Sequence, residues 1–120
     1  MIIGIGCDII EIERIRKAIK NKAFVDRLFT PLEIEKAAKF RDPAPYFAGR
    51  FAAKEALSKA LGTGIGSKLS WHSMEIVNDD QGKPLVIWSE EVKSRYEIAQ
   101  THLSISHSKS TAIAYAIVEA

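Results

Sequence analysis

The chain has 120 residues, 47% hydrophobic and 27% charged, which predicts one globular domain over residues 1–120 and argues against disorder. Its net charge of +2 is too small to indicate a nucleic-acid surface by itself. The single cysteine, Cys7, cannot form an internal disulfide, and no apolar run reaches the roughly 18 residues of a membrane span. Asp8, Glu11 and Glu13 interrupt the position of an export signal. We therefore expect a small cytoplasmic protein.

The first predicted element is a strand over residues 2–9, because every second residue there is apolar. Cys7 shares the phase of these apolar residues, and we expect it to be a small buried side chain. From about Glu11 the period changes to that of a basic amphipathic helix. Asp8 therefore lies close to a strand-to-helix junction.

Capping signals, turn signals and periodicity predict the remaining elements. In chain order they are a helix from Thr30, a long helix over 46–61 closed by Gly62, a hairpin of 71–78 with 84–88, a helix from Ser89 to about Gln100, and a second hairpin of 102–107 with 111–118. Strand, three helices, hairpin, helix and hairpin together indicate an α+β fold rather than an alternating α/β one.

The long helix carries the residues whose side chains most clearly indicate a chemical function. At about 100° per residue, Glu55, Ser58, Lys59 and Gly62 share one face. A carboxylate beside cationic side chains suits a metal-bridged phosphate, and Asp8 is the best candidate for a second metal ligand. On local sequence alone, Asp8 is as easily a helix-capping carboxylate, and Glu55 is more often a surface partner of Lys59. A second face, made of small residues and suited to packing against a sheet, comprises Gly49, Ala52, Ala53, Ala56 and Ala60.

Four segments resemble the holo-acyl-carrier-protein synthase family of small bacterial 4′-phosphopantetheinyl transferases. They are GIGCDIIEIERI (4–15), GRFAAKEALSKALGTGIG (49–66), EIVNDDQGKPLV (75–86) and HLSISHSKSTAIAYAIVE (102–119). The resemblance implies a single small domain in which an antiparallel sheet packs against a long helix. It also implies Mg²⁺-dependent transfer of 4′-phosphopantetheine from coenzyme A to a serine of apo acyl carrier protein, releasing adenosine 3′,5′-bisphosphate.

The resemblance assigns roles to individual residues. Asp8 and Glu55 match the family's Mg²⁺ ligands, and Lys59 matches a lysine that stabilises the transferring or leaving phosphate. The base is either Glu55 or a metal-bound water, and the choice between Mg²⁺ and Mn²⁺ stays open. Arg14 matches the contact to the acidic carrier protein, and the family implies a homotrimer with active sites between subunits. Positions that match the coenzyme A site are Arg50, Lys54, Ser58, Gly62, Pro84, His107 and Ser108.

Two other functional classes remain open on the residues alone. The basic first helix could bind RNA, with Asp8 and Glu55 structural; such binding would fall steeply with salt and need no metal. The chain could also be a purely structural oligomerisation domain without a ligand. His107, at the apolar phase of its strand, could simply be a partly buried histidine that holds a hairpin turn.

Overall fold

The computed structural model describes residues 1–120. In chain order its elements are β1 (Ile2–Glu11), α1 (Ile12–Ala18), α2 (Lys22–Leu28), α3 (Pro31–Ala37), α4 (Ala44–Leu61), a 3₁₀ turn (Trp71–Ser73), β2 (Met74–Asn78), β3 (Pro84–Trp88), α5 (Glu90–Arg95), β4 (Gln100–His107) and β5 (Thr111–Glu119). Strands β1, β5 and β4 form an antiparallel sheet in that order, and β2 pairs with β3 in a separate hairpin. The predicted α+β class is confirmed.

Local sequence signals explain most helix boundaries. Thr30 and Glu33 form the predicted capping box of α3. Gly62 ends α4 in the left-handed region at φ 76°, where a residue without a Cβ is favoured. Ser89 caps α5 through the Val92 amide. None of the helices combines the length and the apolarity that a bilayer crossing requires.

Two helices differ from the prediction. Helix α2 was not predicted, and it begins where the Asn21 side chain accepts a hydrogen bond from the Ala23 amide. Helix α5 ends at Arg95 instead of near Gln100. The cause is Glu97, whose φ of 52° cannot continue a right-handed helix; β4 then begins at Gln100.

Helix α4 lies against one face of the sheet at very close range. A Cβ built on Gly4 would lie 1.8 Å from the Ala60 carbonyl oxygen, and one built on Gly6 would lie 1.8 Å from that of Ala56. Because no other residue fits between the strand and the helix backbone, these two glycines allow the contact. The small-residue face predicted for α4 is therefore its sheet-packing face.

The pleat of β1 is the reverse of the predicted one. Gly4, Gly6 and Ile10 face α4, and Asp8 lies on the same side. Cys7 consequently points to the opposite face and is exposed, so the prediction of a buried Cys7 is wrong. Apolar alternation located the strand correctly. The side of β1 that packs against α4 is, however, the side that carries the two glycines.

The close packing of β1 on α4 makes Gly6 intolerant of any side chain. Gly6→Ala should lower the free energy of unfolding by about 3 kcal/mol, the upper end of the usual cost of overpacking. Gly66→Ala is the matched control, because a Cβ at Gly66 meets no atom within 4 Å, and a change within about 0.5 kcal/mol is expected. Urea unfolding at equal protein concentrations measures both. A Gly6→Ala protein as stable as the wild type would contradict the packing argument.

Candidate active site

Asp8 and Lys59 meet at the edge of the sheet. The Lys59 Nζ donates to Asp8 Oδ1 at 3.2 Å and to the Cys7 carbonyl oxygen at 2.9 Å. Only 16% of the Asp8 side chain is exposed, whereas Lys59 is 53% exposed. A half-exposed ammonium is therefore drawn onto a largely buried carboxylate, and it remains accessible to a ligand from solvent.

Glu55 lies one helical turn before Lys59 on α4. Partial burial raises the pKa of Glu55, the negative charge of Asp8 raises it further, and Lys59 acts in the opposite direction. The two carboxylates are thus close enough to repel each other, with a lysine beside them. The structure brings together the three residues that were predicted as catalytic.

The donor set fits a hard divalent cation. The Asp8 carboxylate and the Cys7 carbonyl already direct oxygen atoms at one cation, the Lys59 ammonium, and Glu55 adds a second carboxylate nearby. Oxygen donors of this kind bind Mg²⁺, which usually takes one or two carboxylates together with water and substrate phosphates. No group of three or more His, Cys, Asp or Glu residues could hold a metal by itself. Asp8 and Glu55 therefore suit a site that a phosphate ligand completes.

The glycine loop after α4 forms an open polar cavity of about 310 Å³. Its lining contains no apolar side chain and consists of Gly62, Thr63, Gly64, Gly66, Ser67 and Lys68. Ser58 anchors this loop, because its carbonyl oxygen accepts from the amides of both Thr63 and Gly64. The Ser58 side chain is buried and its hydroxyl donates to the Glu55 carbonyl oxygen at 2.7 Å. Gly62 is thus available to a ligand, whereas Ser58 supports the loop from beneath.

Lys54 lies at the centre of a buried hydrogen-bond network. Its side chain is fully buried, and Nζ donates to Glu33 Oε1 and the Leu28 carbonyl oxygen at 2.8 Å and to the Trp71 carbonyl oxygen at 3.0 Å. Burial lowers the pKa of Lys54, and the charge of Glu33 opposes this effect. All three N–H donors are therefore used within the chain. Within one chain Lys54 thus has no free donor, and its assignment to the coenzyme A site stays a prediction.

Arg50 lies one turn before Lys54 and is also buried, at 8% exposure. Its guanidinium lies 4.1 Å from the centre of the Tyr46 ring, and its Nη2 donates to Asn78 Oδ1 at 2.5 Å. Pro84 pairs with Asn78 across the hairpin, so two predicted binding residues, Arg50 and Pro84, lie in one place. Sequence reasoning missed Tyr46 and Asn78; the four-residue spacing of Tyr46 and Arg50 was the available signal.

His107 and Ser108 lie apart from the carboxylates. The sheet register aligns Asp8 with Ile105 across β5, and His107 with Ile10. His107 is therefore two strands away from β1, about 10 Å across the sheet. Both residues are exposed and line a shallow pocket of about 260 Å³. Within one chain, His107 does not join the Asp8, Glu55 and Lys59 cluster.

Helix α1 presents free cations to solvent. Its apolar side, Ile12 and Ile15, is buried, and Arg14 is exposed. Arg16 differs because it binds Glu13 at 2.7 Å and Asp42 at 2.6 Å. Arg14 forms no ion pair within the chain and is available to an acidic partner.

This chain is similar to known proteins over nearly its whole length. Residues 4–116 match the family model described as the 4′-phosphopantetheinyl transferase superfamily. A holo-[acyl-carrier-protein] synthase of Geobacillus sp. (strain WCH70) is 48% identical over 124 residues, covering 99% of this chain and 98% of the relative.

Two solved structures extend the likeness to the fold. The Neisseria meningitidis holo-[acyl-carrier-protein] synthase superposes with a TM-score of 0.92 at 36% identity, over 100% of both chains. The Bacillus anthracis enzyme, solved in complex with CoA (3′,5′-ADP), gives a TM-score of 0.86 at 46% identity, over 98% of this chain and 96% of the other. The chain therefore belongs to the 4′-phosphopantetheinyl transferase superfamily. It is a transferase, and the resemblance drawn from its sequence segments is confirmed.

The structural role of Lys54 can be tested by removing its charge partner. Glu33→Gln leaves a buried, unpaired ammonium and should cost about 3–5 kcal/mol of unfolding free energy. The double variant Glu33→Gln, Lys54→Met removes both charges and should regain a large part of that loss. Chemical denaturation measures stability, and calorimetry with coenzyme A measures binding. If the folded double variant loses coenzyme A affinity tenfold or more, Lys54 is a ligand contact after all.

Proposed function

We propose that this transferase is a holo-acyl-carrier-protein synthase, which moves 4′-phosphopantetheine from coenzyme A to a serine of an apo acyl carrier protein. The observation that carries the proposal is the meeting of Asp8, Glu55 and Lys59 at one edge of the sheet. Relatives that match nearly the whole chain bear this name, and the Bacillus anthracis relative is described with CoA (3′,5′-ADP). The other product is adenosine 3′,5′-bisphosphate.

The reaction forms a bond between the serine oxygen and phosphorus and breaks a phosphoanhydride bond of coenzyme A. Asp8 and Glu55 would hold a divalent ion, Mg²⁺, which would neutralise charge on the phosphate oxygens. Lys59 supplies a second positive charge to the transferring phosphate or the leaving bisphosphate. Glu55, directly or through a water, accepts the proton that the serine hydroxyl loses. Each group acts at a position where charge changes during the transfer.

Coenzyme A lies along the polar surfaces that border this cluster. The Gly62 loop allows close backbone approach, and Arg50 beside Pro84 offers a positive charge to a phosphate. His107 and Ser108, which lie apart from the cluster within one chain, provide further contacts from the end of β4 of a neighbouring chain. These positions cover the predicted binding residues other than Lys54 and Ser58, which support the site from within the fold.

The outward face of the β1–β5–β4 sheet supports assembly into a homotrimer. Ile5, Ile9 and Tyr115 are 71%, 64% and 57% exposed, and Cys7 lies among them. An apolar sheet face of this kind normally meets another layer or another chain. In a cyclic trimer each interface joins two different surfaces, so His107 of one chain can reach coenzyme A held by the next chain.

The carrier protein docks on α1 in this proposal. Acyl carrier proteins are acidic, and the exposed Arg14 next to the β1–α1 junction offers complementary charge. The proposal includes no nucleic acid and no membrane partner. It places the protein in the cytoplasm, in keeping with its single cysteine, which has no disulfide partner.

The metal assignment predicts that Asp8→Asn and Glu55→Gln each reduce turnover about 100-fold, because each removes a ligand charge and preserves side-chain size. Asp80→Asn, which neutralises an exposed carboxylate in the hairpin turn, is the control and should retain wild-type turnover. The assay follows modification of an apo carrier protein across a Mg²⁺ titration. High Mg²⁺ should partly restore at least one variant. Near-normal activity of both at limiting Mg²⁺ would contradict the assignment.

A site shared between chains predicts complementation. Glu55→Ala and His107→Ala proteins should each be poorly active, but unfolding and refolding them together in equal amounts should restore activity. With random mixing, roughly a quarter of the sites combine an intact Glu55 with an intact His107 from the next chain. Turnover and size-exclusion chromatography of the mixture measure the outcome. Recovery no greater than the activities of the two variants alone would rule out sharing.

A further inference from the structure

Arg50 carries a buried charge that nothing in the chain neutralises. Its side chain is more than nine-tenths buried, yet it forms no ion pair with any carboxylate. One N–H donates to Asn78, the guanidinium packs on Tyr46, and the buried Nε has no partner. By contrast, the buried charge of Lys54, one turn further along α4, is neutralised by a direct ion pair with Glu33. An unpaired buried cation is costly, and Arg50 therefore favours an anionic ligand.

Asn78 is the polar side chain that holds this guanidinium in place. Its Oδ1 accepts from Arg50 Nη2, and its Nδ2 donates to the Gly82 carbonyl oxygen at 2.9 Å. Asn78 is the last residue of β2 and Gly82 lies in the turn that leads to β3. The amide thus connects a helix side chain to the hairpin turn through its two ends. Fixing a long side chain in this way reduces the entropy that binding would otherwise have to remove.

The side chain of Asn78 is neutral, so it leaves the charge of Arg50 unchanged. A carboxylate at this position could accept the same hydrogen bond, but it would also neutralise the guanidinium. An amide orients Arg50 and leaves its full positive charge available. We infer that Asn78 is a positioning residue that orients Arg50 toward a phosphate of coenzyme A while leaving its charge uncompensated. This inference rests on the proposed use of coenzyme A as substrate.

Asn78→Asp separates orientation from charge, because it keeps the oxygen acceptor and adds a negative charge beside Arg50. The KM for coenzyme A should rise roughly tenfold, as expected for an opposite charge in direct contact. The KM for the carrier protein and kcat should stay within about twofold, since the carboxylate cluster is untouched. Asn78→Ala, which removes the acceptor without adding charge, should raise the KM for coenzyme A by a smaller factor, about threefold.

Gln81→Glu is the control for charge alone. It adds the same charge to the exposed turn that follows β2, and no hydrogen bond joins its side chain to Arg50, whose partner is Asn78. Its KM for coenzyme A should remain within about twofold of the wild type, because solvent screens an exposed charge. Thermal unfolding of all variants shows whether loss of the Gly82 contact, rather than the charge, causes an effect.

Direct calorimetric titration with coenzyme A makes the test independent of turnover. Tenfold weaker binding to folded Asn78→Asp than to the wild type, with Asn78→Ala between them, supports the inference. Wild-type affinity in Asn78→Asp overturns it and leaves the proposed transferase reaction intact. Unchanged affinity in Arg50→Ala also overturns it, since Arg50 then binds no part of the ligand. The proposed function fails on a different result, the absence of any carrier modification by the wild-type protein.

Discussion

The backbone contact between β1 and α4 determines where every residue of the carboxylate cluster lies. Gly4 and Gly6 let the strand approach the carbonyl oxygens of Ala60 and Ala56, closer than any side chain would permit. Asp8 follows Gly6 by two residues and therefore projects on the same side of the strand. Because Glu55 and Lys59 each precede one of these two alanines on α4, the same contact sets their distance from Asp8. The position of the carboxylate cluster at the edge of the sheet thus depends on the absence of side chains at Gly4 and Gly6.

The buried cations of α4 are a second feature that determines how the surrounding segments are arranged. Lys54 uses its three donors to join α2, α3 and the 3₁₀ turn to the long helix, and Glu33 extends the network to the amides of Thr30 and Ile76. A fully satisfied buried network of this kind specifies one arrangement of the surrounding segments. Arg50, four residues earlier, is also buried, at 8% exposure against 0% for Lys54, but has no counter-charge. One cation stabilises the fold and the other remains available to a ligand.

Sequence patterns identified much of this arrangement because they depend on local spacing. Capping residues located α3 and α5, helical spacing grouped Glu55 with Lys59, and motif order led to the correct family. The sequence-based predictions fail where tertiary packing, rather than local spacing, determines the surroundings of a residue. The apolar alternation of β1 does not show which face meets α4, so Cys7 was misplaced. Lys54 and Arg50 lie one helical turn apart and carry the same charge. The carboxylate of Glu33, 21 residues away from Lys54, pairs with Lys54 and not with Arg50, and local sequence does not show this difference. Asn78 was missed because its partner Arg50 is 28 residues away in sequence.

The arrangement of Asp8, Glu55 and Lys59 is proposed to perform phosphopantetheine transfer. The most direct measurement is the intact mass of an apo acyl carrier protein after incubation with the wild-type chain, coenzyme A and Mg²⁺. The carrier should gain the mass of one phosphopantetheine arm on a single serine, and a metal chelator should prevent the gain. An unchanged mass across several apo carrier proteins, under conditions where the chain is folded and binds coenzyme A, would show that the chain does not perform this transfer.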